Sequence, residues 1–118
     1  MGLRDSAISK TMLSKLMEGR TKISTRDLIF NYQNGFTICA VDEMTNNKGD
    51  TFVVYNIKED DSIFAFGGSA INNIFLDYIA DNGIEFVNRE LKDTGGLKIK
   101  LSSIRTREGR EYTKVEVI

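Results

Sequence analysis

Residues 36–66 read FTICAVDEMTNNKGDTFVVYNIKEDDSIFAF. Three runs rich in β-branched and aromatic side chains, FTICAVDEM, TFVVYNIK and SIFAF, are separated by the polar connections TNNKGD and KEDD. Apolar stretches of this length, bounded by Gly, Asn and Asp, predict three strands joined by short turns, a meander. In TFVVYNIK, Val53, Tyr55 and Ile57 fall on one face and Phe52, Val54, Asn56 and Lys58 on the other. The polar members turn Phe52 outward. Phe64 and Phe66 also share a face, inner or outer, because a one-residue slip of register exchanges the two.

Working outward, the meander is preceded by the Asn34-Gly35 turn signal and by DLIFNY, a short helix that Ser24 can cap with Asp27 three residues on. Earlier still, Ile8, Met12, Leu13, Leu16 and Met17 recur at helical spacing, predicting an amphipathic helix over Ala7–Glu18 that stops at Gly19. After the meander, Gly67-Gly68 breaks the chain. Ser69 can then cap a helix carrying Ile71, Ile74, Phe75, Tyr78 and Ile79, which ends near Asn82-Gly83. IEFVNRELKD suits either a helical turn or extended chain. Beyond Gly95-Gly96, LKIKLSSI and EYTKVEV alternate around the turn RTREGR. Leu97, Ile99 and Leu101 face one side, continued by Val115 and Val117, while Lys98, Lys100 and Ser102 face the other.

Helix, short helix, three strands, helix, two strands is the connectivity of the OB-fold, a five-stranded Greek-key barrel with a helix between strands three and four. The expected organisation is an N-terminal helical extension, residues 1–22, and an OB-fold domain, residues 23–118. An open α+β sheet with the same order of elements would read identically.

The chain has 118 residues, 41% of them hydrophobic, enough for one modest core. It has no histidine and one cysteine, Cys39, so Cys/His metal cages, internal disulfides and His-based triads are excluded. Cys39 lies in an apolar strand and reads as a core residue, and a lone thiol fits a reducing compartment. No apolar stretch is long enough to span a membrane, which leads to the expectation of a cytoplasmic protein with no membrane partner. FGGSAIN lacks the lysine and spacing of a nucleotide loop, so its glycines read as helix packing and no cofactor is expected. Glu59, Asp60 and Asp61 read as a solvated turn. No acid, base and nucleophile can be brought together, and an enzyme is not expected; a carboxylate-metal nuclease is the residual catalytic alternative.

Net charge is −1, unevenly spread: +4 over residues 1–26, −8 over 27–96 and +3 over 97–118. The final hairpin concentrates the positive charge. Arg105, Arg107 and Arg110 sit at or beside its turn, and Lys98, Lys100 and Lys114 project from its polar side. In an OB-fold this turn joins strands four and five and reaches over the ligand, where cations meet phosphates spaced along a single strand. Tyr112 shares the face of Lys114 and can stack on a base, and Phe52 is the second candidate platform. Lys48, in TNNKGD between strands one and two, is a peripheral contact. A charged turn on a solvated sheet face is the plainer reading of the same residues.

The runs KISTRDLIFNYQNGFTICAVDEM, FVVYNIKEDDSIFAFGGSAINNI and TGGLKIKLSSIRTREGREYTKVEV resemble the small single-stranded-DNA-binding proteins encoded by phages of Gram-positive bacteria, notably lactococcal phages. The shared pattern is an N-G turn into the first strand, an aromatic FGG before the central helix, and GG-x-KIKL opening a basic hairpin. The resemblance implies an OB-fold, single-stranded DNA as partner, work alongside phage recombination or replication proteins in the infected host cell, and homodimers. A departure is KVEVI, inside a predicted strand where the familiar bacterial single-strand binders carry a disordered acidic tail. The apolar stripe of the N-terminal helix, which needs a cover, also points to a dimer. The competing expectation is a phage protein-interaction module or inhibitor of a host protein, acting through the acidic middle or that helix.

Overall fold

A computed structural model describes residues 16–118 of the chain. Alternating side chains produce the meander as expected: β2 (Phe36–Thr45), β3 (Thr51–Ile57) and β4 (Asp60–Phe66) pair antiparallel in succession. The closing hairpin is β5 (Leu97–Arg105) and β6 (Glu111–Val117). An additional strand, β1 (Thr21–Lys22), lies parallel to β4, with Thr21 opposite Ile63 and Lys22 opposite Phe64. The sheet is therefore six-stranded, in the order β1-β4-β3-β2-β5-β6, rather than five-stranded as expected. Two residues carry no alternation to read, so β1 left no signal in the sequence. The sheet curls as a half barrel. Among the described residues no ladder joins its two edges, β1 and β6.

Among the described residues three helices cover it: α1 (Thr25–Asn31), α2 (Ser69–Asn82) and α3 (Ile84–Thr94). The Ser24 hydroxyl caps α1 by accepting from the Asp27 N–H at 3.1 Å, and Leu28 is fully buried beneath it. The cap of α2 is Gly68, with Ser69 as the first helical residue and no side-chain cap bond. Gly67 is required by a close approach, since a Cβ there would stand 2.8 Å from Asn72 Oδ1. That oxygen accepts the Val53 N–H at 2.9 Å and pins α2 to β3. IEFVNRELKD is helical, as α3. Val87 and Leu91, one turn apart, bury its apolar face, and Gly95 ends it in the left-handed conformation.

The core lies on the concave face of the sheet. Val53, Tyr55 and Ile57 project inward from β3, as their alternation predicts, against Phe36 and Ile38 of β2 and Ile99 and Leu101 of β5. Phe36 and Tyr55 stack with ring centroids 6.2 Å apart. Burying each such side chain contributes about 1.5–3 kcal/mol. β5 pairs with β2 only over Phe36–Ile38, after which β2 bulges between Ile38 and Ala40. Past the bulge α3 takes the place of a strand. Asn88 Oδ1 accepts the Val41 N–H and Asn88 Nδ2 donates to the Val41 carbonyl, both at 2.9 Å.

The helix expected over residues 7–18 lies outside the described residues apart from its end, where Leu16 and Met17 are helical. Among the described residues no helix is long and apolar enough to cross a membrane.

Candidate nucleic-acid interface

The β5–β6 register sets the geometry of the basic hairpin. Leu101 pairs with Val115 and Ile99 with Val117 on the core side, while Lys100 pairs with Glu116, Ser102 with Lys114 and Ile104 with Tyr112 on the other. Lys98, Lys100, Lys114 and Tyr112 thus share the outer face, as alternation predicts. Because β2 begins at Phe36, opposite Ile99, β5 and β6 run on past it toward the turn as a two-stranded projection. Tyr112 is 52% exposed there.

The register also brings in Glu116, which interrupts the lysines. It lies opposite Lys100 and forms an ion pair with Lys114 at 3.2 Å. Both groups of that pair are half exposed, so it contributes about 0–1 kcal/mol and leaves Lys114 able to exchange its partner. Arg105 points to the concave side, not the lysine side, and stands 3.7 Å from Glu111. That contact too is solvent-exposed. Arg107 and Arg110 occupy the exposed turn, where Gly109 adopts φ +81° and Thr106 accepts the Arg110 N–H through its hydroxyl at 3.2 Å. Among the described residues neither arginine has a carboxylate partner.

Phe52 sits on the outer face of β3, as expected, but half buried rather than free. Its ring meets Phe66 edge-on at 5.2 Å, and Phe66 lies 5.7 Å from Phe64. The β3–β4 register, with Ala65 opposite the inward Tyr55, puts Phe64 and Phe66 outside. Lys22 Nζ caps the Phe66 ring at 4.5 Å, a cation–π contact. This aromatic cluster with its lysine was missed by sequence reasoning. Its signal was the F-x-F spacing in SIFAF, whose face alternation alone could not assign.

Lys48 stands apart from the basic hairpin. Asn46 Oδ1 accepts the Lys48 and Asp50 N–H groups at 2.9 and 3.0 Å, making its loop a self-contained turn. That loop leaves the far end of β2, separated from the Phe36 end by about 30 Å of strand.

Of the remaining candidates, Cys39 is half buried and its thiol donates to the Asn56 carbonyl at 3.5 Å. Burial raises its pKa and so disfavours the nucleophilic thiolate. Glu59 is more than a solvated turn residue, since its carboxylate accepts from the Thr37 N–H at 2.8 Å and from the Thr37 hydroxyl at 3.0 Å. Among the described residues no group of three or more His, Cys, Asp or Glu is placed to hold a metal ion. Compared with known proteins, the chain matches no family model, no curated protein and no solved structure.

Proposed function

We propose that this protein binds single-stranded DNA without catalysis and with little sequence preference. The observation that carries the reading is the common outer face of Lys98, Lys100, Lys114 and Tyr112 on a hairpin that runs on past β2. Cations at strand spacing neutralise successive phosphates, and an exposed ring beside them offers a stacking surface to any base. Arg107 and Arg110 extend the positive charge into the turn.

The sheet order supports an OB-fold reading. Set β1 aside, and a three-stranded meander remains whose first strand also pairs with the first strand of a hairpin, the connectivity of a partly open Greek-key barrel. The ligand-bearing strands of that barrel are its second and third, here β3 and β4, whose outer face carries Phe52, Phe64 and Phe66, with Lys22 of β1 over the Phe66 ring. On this reading the nucleotide strand runs from the aromatic cluster to the basic hairpin, with Lys48 at its margin. The phage setting and cooperation with recombination proteins rest on the family resemblance.

The test is affinity for single-stranded and duplex oligonucleotides, measured side by side across salt concentration. If all six hairpin cations, Lys98, Lys100, Arg105, Arg107, Arg110 and Lys114, meet phosphates, the log–log salt slope approaches about −4 and affinity falls roughly 300-fold between 50 and 200 mM salt. Changing Arg105, Arg107 and Arg110 together to Ala halves the slope to about −2 and reduces that fall to roughly 20-fold. An unchanged slope in the triple variant removes the arginines from the site, and an unchanged slope after Lys98, Lys100 and Lys114 are changed together to Ala refutes the site. No binding to single strands at physiological salt refutes the function and favours a protein-interaction module.

A further inference from the structure

We infer that β6 is a dimerisation edge, on which a second copy of this chain pairs antiparallel about a two-fold axis through Val115. The Ile118 N–H donates to the Lys98 carbonyl at 3.0 Å and the Thr106 N–H to the Arg110 carbonyl at 2.8 Å. Both pairs belong to the same antiparallel register as Lys100 with Glu116 and Ser102 with Lys114, so even-numbered residues of β6 direct their backbone bonds to β5. Thr113, Val115 and Val117 direct theirs outward, along a sheet edge that has no strand beyond it among the described residues. An open edge of this kind is a template for another strand.

The side chains select the occupant. With Val115 opposite Val115 of the second copy, Lys114 falls opposite Glu116, Tyr112 opposite Ile118 and Thr113 opposite Val117. No opposition is unfavourable: opposite charges meet twice, Val115 meets Val115, Tyr112 meets Ile118, and Thr113 and Val117 are both β-branched. A shift of two residues either way sets Lys114 against a side chain of no opposite charge. The chosen register also matches Thr113, Val115 and Val117 with one another as bonded pairs, giving about six backbone hydrogen bonds.

Exposure agrees with this register. Val117 is 65% and Ile118 61% exposed, although Val117 belongs to the core-side face and pairs with fully buried Ile99. Beside Thr113, between β6 and the start of α2, lies an open cleft of about 430 Å³ whose walls include Ala70, Ile71 and Leu101. Val117 of the second copy, opposite Thr113 on the core side, comes to the mouth of that cleft. The result is one sheet continuous through both copies.

The inference does not rest on the proposed DNA binding, although Lys114 and Tyr112 belong to both surfaces, and its test reads oligomeric state alone. Sedimentation velocity of the full chain should give twice the 13.3 kDa protomer mass. Lys114→Glu sets Glu against Glu across the axis and Glu116→Lys sets Lys against Lys, each weakening association by about tenfold or more. An equimolar mixture of the two variants should recover dimers, because each then faces the opposite charge. An effect confined to one chain cannot produce that recovery. Val115→Pro removes an outward N–H without touching the β5 ladder, and should give monomers that retain the β-sheet circular dichroism. A wild-type monomer at all accessible concentrations overturns the inference and leaves Lys114 as a guard of the edge. A dimer that survives all three variants overturns it equally.

Discussion

Replacing Asn88 by Ala removes the two hydrogen bonds that α3 makes to the backbone of Val41. Val41 is 1% exposed, and its N–H and C=O point away from β3 toward the side of β2 that β5 does not reach. No strand can take over these groups. Each buried backbone group left without a partner costs about 1–3 kcal/mol. Asn88 itself is half buried, so water admitted by the truncation recovers part of that cost. A net loss of about 2–4 kcal/mol follows, a large fraction of the 5–15 kcal/mol typical of a domain. In urea, with a slope of about 1–3 kcal/mol/M, the unfolding midpoint should fall by roughly 1–2 M at unchanged slope. Asn88→Asp keeps the acceptor for the Val41 N–H but places a carboxylate against the Val41 carbonyl, and should be no better than Ala at neutral pH. A loss below about 0.5 kcal/mol for Asn88→Ala would refute the idea that a side-chain amide completes this strand.

The structure makes further expectations specific. Gly96 has φ +102°, and a Cβ there would stand 2.7 Å from the Ile38 carbonyl oxygen. Gly96→Ala should lower stability by about 3 kcal/mol, whereas Gly68→Ala, with open space around its Cβ, should have a much smaller effect in the same urea titration. The Tyr55 hydroxyl is buried, has no hydrogen-bond partner among the described residues, and its pKa is raised well above the usual tyrosine value by desolvation. A raised native pKa means stability present below the unfolded value of about 10 and lost as pH climbs past it. Ultraviolet titration should therefore show Tyr55 ionising only on unfolding. Tyr55→Phe should be neutral or slightly stabilising and should reduce the alkaline loss.

Strand alternation carried much of this fold. Leu97, Ile99 and Leu101 are set apart from Lys98 and Lys100 by period two alone, and the basic face of the hairpin follows without knowledge of any neighbour. Ser24 and Asp27 mark the start of α1 through a hydrogen bond that spans three residues. Where the reading was ambiguous or wrong, the deciding contact was distant in sequence. IEFVNRELKD is helical because Val87 and Leu91 find β2 beneath them, some 50 residues away along the chain. Thr21–Lys22 becomes a strand only because β4 offers an edge. Phe64 and Phe66 turn outward because Ala65 lies opposite Tyr55, a register that the strand pattern left open.

For the candidate interface the division is the same. Which residue types stand on the final hairpin, and which of them share a face, is a local matter, because a pleated strand turns every second side chain the same way. Pairing across strands settled the remainder: Glu116 among the lysines, Arg105 on the opposite side from them, Lys48 at the far end of β2, and Lys22 over an aromatic cluster. Those placements depend on which backbone groups meet which, and such choices are made only when distant segments compete to bury the same apolar surface.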